Sequence, residues 1–296
     1  MTDTILLVGH GSRDQNGNIE IEKFTQQWRA RQPALRIELC FIEFADVLLD
    51  DGLALAAKNS ERVIVIPLIL NAAGHVKTEI PAHITKARTR FPQCEFVYTP
   101  HLGACEEILS ILKRRLDSSM SALDMPDPAS TGIILLGRGS SDRHANGEVA
   151  KMARWLLETC FSRNGRYELI DIAFTGITYP RLERVVQRQV QLGMMQIVVL
   201  PYYLFTGTLM ERIKRQMQNL QQQYPQIRFD CGNYFGFEPE IFILLEQRIV
   251  DAGAGDKLVS YVRDSGHKSG HGHSHHHHHH EHDHDHHHDH SHEHVA

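Results

Sequence analysis

The sequence predicts an α/β protein in which two similar domains follow one another, each a doubly wound and mainly parallel sheet. Two observations predict this fold: an internal repeat spans most of the chain, and short β-branched runs alternate with longer amphipathic stretches in both copies. We predict domains at residues 1–117 and 131–264, a linker with Ser and Pro at 118–130, and a disordered tail at 265–296.

The repeat is clearest in two pairs of segments. "ILLVGHGSRDQNGN" matches "ILLGRGSSDRHANG", with Gly139 on Gly11 at an offset of 128, so that Arg138 falls on His10. "FPQCEFVYTPHLG" matches "YPQIRFDCGNYFG" at an offset of 133. A repeat of this length indicates a duplicated domain rather than a solenoid, because each copy is large enough to form its own core.

Both copies predict the same order of elements. Between the first two strands, Ile21, Phe24 and Trp28 recur at helical spacing, which predicts an amphipathic helix there. The β-branched runs predict strands at Thr4–Val8, Arg36–Ile42, Arg62–Leu70, Glu95–Thr99, Gly132–Leu136, Glu168–Phe174, Gln196–Tyr203 and Arg228–Tyr234.

The composition excludes several classes of protein. No apolar run reaches the roughly 20 residues of a membrane helix, and the first residues do not resemble a signal peptide, so we expect a cytoplasmic protein without a membrane partner. A net charge of −5 gives no reason to expect a nucleic-acid partner. Five cysteines without a C-x-x-C pair argue against a disulfide framework and against a Cys-ligated zinc or iron–sulfur site.

Three residues of ligand type follow the first three predicted strands of the first copy: His10, Glu43 and His75. Ligands of such sheets lie outside the carboxyl ends of the strands, so these side chains should meet at one edge. Two imidazoles and a carboxylate suit Co²⁺, Fe²⁺, Ni²⁺ or Zn²⁺. We therefore predict these residues as metal ligands.

The second copy has no ligand at the matching positions, which are Arg138, Gly176 and Thr208 or a neighbour. The loss of one of two redundant sites explains this difference better than independent drift. Two other interpretations of "GHGSRDQNG" stay open: a phosphate cradle at a helix N-terminus, and a nucleophile at Ser12. The segment matches neither phosphate-loop pattern and does not match G-x-S-x-G.

Four motifs in the first copy resemble those of the sirohydrochlorin cobaltochelatase family of class II chelatases: "LLVGHGSRD", "FIEFAD", "PLILNAAGHVKTEIP" and "PHLGACEEIL". The resemblance covers roughly residues 1–262. With its two copies, the chain is similar to the long form of the family, in which two units are fused; in the short members of the family the same unit pairs as a homodimer. It implies two flavodoxin-like domains, related by a pseudo-two-fold axis and facing each other across a cleft. We therefore expect a monomer with a pseudo-dimeric cleft.

The same resemblance implies an activity and its residues. It implies insertion of Co²⁺ into sirohydrochlorin, a tetrapyrrole with eight carboxylates, in the anaerobic route to cobalamin and without an organic cofactor. His10 and His75 match the family's metal-handling histidines, and Glu43 matches its acidic partner. Metal insertion expels two pyrrole protons, so the resemblance implies that these three residues are also catalytic groups. Histidine can accept a proton near neutral pH, and a carboxylate can relay one. Two alternatives stay open: Fe²⁺ insertion toward sirohaem, and a non-enzymatic protein that stores or delivers metal.

A substrate with carboxylates calls for cationic and polar partners. Arginine is permanently charged and binds carboxylates as a bidentate fork, so Arg138 could hold the substrate from the second copy while the first handles the metal. Ser12, Arg13 and Lys77 are further candidates for substrate binding.

The tail is compositionally distinct from the rest of the chain. From Ser265 onward it contains 17 of the 22 histidines, with Asp, Glu, Ser and Gly between them, which favours a native metal-binding segment over a purification tag. We predict that it stores or delivers the substrate metal, with a central run of six ligands at His275, His276, His277, His278, His279 and His280.

Overall fold

Strands and helices alternate along the described residues, 3–161 and 167–253, of the computed structural model. The strands are β1 (Asp3–Gly9), β2 (Arg36–Phe41), β3 (Arg62–Pro67), β4 (Glu95–Tyr98), β5 (Thr131–Gly137), β6 (Leu169–Phe174), β7 (Gln196–Pro201) and β8 (Arg228–Cys231). The helices are α1 (Gln15–Arg31), α2 (Leu49–Ala57), α3 (Ile80–Arg90), α4 (Glu106–Ala122), α5 (Arg143–Phe161), α6 (Leu182–Gln191), α7 (Thr208–Gln223) and α8 (Pro239–Gly253).

The strands form two parallel sheets of four, with the orders β2-β1-β3-β4 and β6-β5-β7-β8. In each sheet the connection from the first strand leads to a neighbour on one side, and the connection from the third strand leads to a neighbour on the other side. A crevice therefore opens between the carboxyl ends of the first and third strands. The apolar runs of β1 and β5 are fully buried, as expected for strands covered by helices on both faces. The predicted fold, with two tandem flavodoxin-like domains, is confirmed.

The predicted strands overlap the observed ones, but the third strand of each half and the last strand of the chain are shorter than predicted, and β8 ends at Cys231 rather than Tyr234. β3 ends at Pro67 rather than Leu70, and β7 ends at Pro201 rather than Tyr203. The Leu68 N–H still donates to the Val8 carbonyl, whereas the Ile69 and Leu70 carbonyls accept from the Leu102 and Gly103 N–H groups, which follow β4. The chain then continues into the loop that carries His75.

Equivalent residues of the two halves make reciprocal contacts, as a pseudo-two-fold axis requires. Arg115 of the first half donates to the Tyr234 carbonyl of the second at 3.2 Å, and Arg248 of the second donates to the His101 carbonyl of the first at 3.0 Å. Both pairs follow the offset of 133 residues that relates β4 to β8.

The two halves share one core because they exchange their last helices. α4 packs against β7 and β8 of the second half, whereas α8 packs against β3 of the first. Phe242 of α8 stacks on Phe24 of α1, with 4.4 Å between ring centroids and 11° between planes. One apolar cluster therefore runs through both halves. The predicted boundaries at 117 and 131 divide the chain in sequence, but in space each half is completed by a helix of the other.

The predicted linker is partly helical. α4 continues to Ala122, so residues 118–122 belong to it, and a short 3-10 turn at Pro128–Ser130 precedes β5. Leu116 and Met120 of α4 are buried, and this apolar face extends the helix beyond the point that the Ser-rich composition indicated. Within residues 3–161 and 167–253, no helix is both long and apolar enough to cross a bilayer.

Candidate metal centre

The three predicted ligands meet at the carboxyl edge of the first sheet. His10 follows β1, Glu43 follows β2, and His75 begins a π-helical segment, His75–Glu79, after β3. One ligand atom from each residue lies within 4.8 Å of the others, and no other group of three potential ligands was found in the described part of the chain. His10 Nδ1 is 3.6 Å from Glu43 Oε1, and the two imidazole rings meet edge to face with centroids 4.7 Å apart.

A glycine holds the first two ligand loops together. The Glu43 N–H donates to the His10 carbonyl at 3.1 Å, and Gly11, the next residue after His10, has a φ of +86°. A Cβ at Gly11 would lie 1.7 Å from the Glu43 carbonyl oxygen. Only glycine allows both this left-handed conformation and this approach, so Gly11 sets the distance between His10 and Glu43.

Glu79 is a further residue of the candidate site, and the sequence interpretation missed it. Its Oε2 lies 2.5 Å from His75 Nδ1, four residues earlier along the π-helical segment. A carboxylate bonded to one imidazole nitrogen fixes the ring and its tautomer, which leaves Nε2 as the metal-binding atom and makes it more basic. The pattern H-x-x-x-E in "HVKTE" could have indicated this pair, since residues four apart share a helical face.

The surroundings of His10 favour its neutral imidazole. Burial lowers the pKa of His10, and the hydrogen bond to the Gly11 carbonyl raises it by less. The neighbouring His75 and Arg138 lower the pKa by still smaller amounts, and Glu43 raises it least. His10 Nδ1 lies 3.0 Å from the Gly11 oxygen, and Nε2 lies 3.5 Å from an Arg138 nitrogen. A neutral imidazole has a lone pair for a metal ion, so this environment favours ligation.

The metal centre forms part of the wall of a cavity of 930 Å³ between the two halves. This volume is at the upper end of the range of about 300–1,000 Å³ for small-molecule sites. The first half contributes the three ligands, and the second contributes Arg138, the loop after β5 and the loop after β7. Phe44 and Ile177, which are equivalent residues of the two halves, are both exposed and line the same cavity.

Three of the four predicted substrate-binding residues line this cavity. Arg138 contacts His10, and the Arg13 guanidinium lies 4.8 Å above the Phe44 ring. Ser12 also lines it, but its Oγ accepts from the Asp14 N–H and thereby shapes the loop.

Lys77 is placed differently. Its Nζ lies 2.5 Å from Asp142 Oδ2 of the second half, and it is not among the described residues that line the cavity. The structure gives Lys77 a contact between the halves where the sequence indicated a contact with substrate.

The structure also fixes which residue of the second half matches His75. β3 begins beside β1 with Arg62 opposite Asp3, and β7 begins beside β5 with Gln196 opposite Thr131. The offset in this part of the repeat is therefore 134, which places Leu209, the neighbour of Thr208, on His75. The predicted metal ligands of the tail, residues 275–280, lie outside the described residues.

The fold and the site define a two-domain α/β protein with a candidate metal centre, contributed by the first half alone, in a cavity between the halves. A family model described as CbiX matches residues 4–119 and 132–252, and the chain belongs to this family. It is 38% identical to a sirohydrochlorin cobaltochelatase of Priestia megaterium, over 86% of this chain and 81% of the relative. It is 28% identical to a sirohydrochlorin ferrochelatase of the same organism, over 83% and 89%. The solved structure of SirB from Bacillus subtilis with Fe³⁺ superimposes with a TM-score of 0.72 at 27% identity, covering 86% of this chain and 96% of that one.

Proposed function

We propose that this protein is a class II chelatase that inserts Co²⁺ into sirohydrochlorin. The observation that supports the proposal most directly is the position of His10, Glu43 and His75 on the wall of the 930 Å³ cavity, with an arginine of the other half beside them. A substrate seated there would present its ring nitrogens to the metal and its carboxylates to cations.

In this proposal the metal ion and two protons exchange places. The ion is held by His10, His75 and Glu43, and insertion breaks these bonds as the four ring nitrogens bind it. The two N–H protons of the macrocycle pass to the two imidazoles as their lone pairs become free. The site thus holds two positive charges before and after the exchange, so the step separates little charge in a partly buried site.

The two imidazoles differ in how firmly they hold the transferred proton. Glu79 stabilises an imidazolium at His75, as a carboxylate stabilises a protonated histidine in a catalytic triad. The pKa of His10 is lowered by burial, so His10 releases its proton readily and becomes a ligand again. Glu43, 3.6 Å from His10, can relay that proton.

Arg13 and Arg138 are the proposed partners of the substrate carboxylates, one from each half. Guanidinium groups bind carboxylates in a bidentate geometry, and their charges remain fixed at every working pH. The exposed side chains of Phe44 and Ile177 offer apolar contacts to the macrocycle from opposite halves.

Iron insertion is the second candidate, because relatives of both activities are found and one solved structure contains Fe³⁺. Imidazole and carboxylate ligands suit both Co²⁺ and Fe²⁺. Cobalt is proposed first because the cobaltochelatase of Priestia megaterium is more similar, at 38% against 28% identity.

The test is an anaerobic absorption assay of sirohydrochlorin with Co²⁺ or Fe²⁺, with and without protein. We expect protein to accelerate the spectral change, and the metal with the larger kcat/KM identifies the activity. His10→Ala and His75→Ala should each lower kcat/KM by about 100-fold or more, as for removal of general acid–base groups.

Absence of acceleration with both metals would instead favour a storage protein. The histidine-rich tail is proposed to store or deliver the metal, so a chain ending at Gly266 should bind fewer Co²⁺ ions. At saturating Co²⁺ it should retain its kcat; a truncated chain without activity there would contradict a purely supplying role for the tail.

A further inference from the structure

The loop that carries His75 is held by carboxylates of the opposite half. Glu148, on α5 of the second half, accepts from the Ala72 N–H with Oε2 at 3.2 Å. Its other oxygen lies 2.8 Å from Nε2 of the buried His101, so both ends of the carboxylate are fixed. Ala72 precedes His75 by three residues, and the contact therefore fixes the start of the loop.

The end of this loop has a second support from the same half. Asp142 Oδ2 lies 2.5 Å from Lys77 Nζ, two residues after His75, while Asp142 Oδ1 accepts from the His144 N–H at the start of α5. Between the two supports, Gly74 has open space around it, with no atom within 4 Å of where a Cβ would be. We name Asp142 and Glu148 the trans bracket, because they enclose the His75 segment from the other half.

The internal repeat provides a natural comparison. Glu20 is the equivalent of Glu148, at an offset of 128, and it accepts from the Thr206 N–H and the Tyr234 hydroxyl, both at 2.6 Å. Thr206 matches Ala72 at the offset of 134, so the same contact supports the loop after β7. That loop lines the cavity and contains no metal ligand among its described residues.

We infer that Asp142 and Glu148 are positioning residues for the metal site, so that the half without ligands sets the geometry of the half that has them. This inference rests on the proposed metal site at His10, Glu43 and His75. Bonds from N–H and ammonium donors to carboxylates are stronger and more directional than neutral ones. They hold the segment on both sides of His75, and they do so only when both halves are assembled.

The test measures Co²⁺ affinity of the full chain rather than activity. Each variant is titrated with Co²⁺, and its visible absorption is recorded against that of the His10→Ala/His75→Ala double variant, which keeps the tail but lacks both imidazoles of the proposed metal site. Glu148→Ala and Asp142→Asn should each raise the Co²⁺ Kd obtained from this difference signal by about 10-fold. This is the lower end of the loss of metal affinity, about 10- to 100-fold, that follows removal of residues that orient metal ligands. Asp142→Asn retains an oxygen for the His144 N–H, so α5 keeps its cap.

The matched controls are Glu20→Ala and Asp14→Asn, the equivalents in the first half. Glu20→Ala removes the same kind of contact between halves and should lower the melting temperature as Glu148→Ala does. Asp14→Asn keeps the cap of α1, where Asp14 accepts from the Asn16 N–H. Both controls should keep the Co²⁺ Kd within twofold of the wild-type value.

Equal losses of affinity in the variants and their controls would show a general effect on folding and overturn the inference, as would four unchanged affinities. A wild-type chain with no difference signal against the double histidine variant would overturn the metal site itself, and with it the bracket. The two failures are distinguished by this difference signal, which stays present when the bracket alone is wrong.

Discussion

At the metal centre one position of the repeat carries histidine in the first half and arginine in the second, and folding brings the two side chains to 3.5 Å. The contact has two consequences. It places a fixed cation where substrate carboxylates are proposed to bind, and it favours the neutral form of His10. In the proposed function, one position of the repeat therefore has two complementary roles in the same cavity.

Replacing Arg138 tests the first consequence. Arg138→Ala should raise the KM for sirohydrochlorin by about 10-fold, because a charge-assisted hydrogen bond contributes about 1.5–3 kcal/mol and 1.4 kcal/mol corresponds to a factor of ten. Steady-state kinetics at saturating metal measure this change. Arg154→Ala is the control, since Arg154 is exposed on α5 and pairs with Glu158. An unchanged KM in Arg138→Ala would remove the proposed contact.

The acid side of the pH profile tests the second consequence. His10 must be neutral to bind metal, and its pKa is below the ordinary 6.5, so kcat/KM should stay level through neutral pH and fall only below about 6.5. Arg138→Ala removes a cation that lowers this pKa, so the fall should begin at a higher pH in the variant. If the acid side of the Arg138→Ala profile stayed in place, or moved to lower pH, the role of Arg138 at His10 would be contradicted.

At the scale of single elements, the turns after β1 and β5 show how tightly the repeat is built. Gly11 and Gly139 have φ of +86° and +87°, and a Cβ at either would lie 1.7 or 2.3 Å from a carbonyl oxygen of the neighbouring loop. Each turn therefore needs glycine for conformation and for space. In the first half this turn also holds His10 beside Glu43.

Gly11→Ala should destabilise the protein by about 2–4 kcal/mol, since a left-handed non-glycine residue alone costs about 1–3 kcal/mol and the clash adds to it. Urea unfolding with a shared m-value measures the change. Gly147→Ala is the contrasting variant: Gly147 lies in α5 with open space around it, and alanine there should stabilise by about 0.5–1 kcal/mol. A neutral Gly11→Ala would contradict the close approach of the two loops.

At the scale of the whole molecule, the exchange of α4 and α8 makes the halves depend on each other. Each helix completes the apolar cover of the other half's sheet, and the described residues lie within one compact unit. We therefore expect the halves to unfold together in a single cooperative transition, although each has a sheet of its own.

The two tryptophans report on this coupling, because Trp28 lies in the first half and Trp155 in the second. In Trp155→Phe and in Trp28→Phe, the fluorescence of the remaining tryptophan should follow the same urea transition as far-UV circular dichroism. Phe242→Ala should lower the free energy of unfolding measured with either probe by about 3–5 kcal/mol. Both probes should respond because Phe242 belongs to the second half and stacks on Phe24 of the first. Separate transitions for the two probes would show independent domains.

The sequence alone determined the parts of this protein that depend on local periodicity and on order along the chain. The alternation of strands and helices, the duplication and the three ligand positions after successive strands follow from patterns within short segments, and parallel strands necessarily bring their carboxyl ends to one edge. His10, Glu43 and His75 could be predicted together for this reason. The second-half equivalent of His75 was uncertain by one residue, because insertions between repeats shift the offset and only sheet register fixes it.

The tertiary structure decided the features that join residues far apart in the chain. The exchange of α4 and α8, the ion pair of Lys77 with Asp142 and the contact of Glu148 with Ala72 connect one half to the other, and no periodicity within a segment encodes such partners. The same holds for the cavity, whose walls come from both halves. Local patterns specify which face of an element is apolar, but the choice of the surface that covers it depends on the packing of the whole chain.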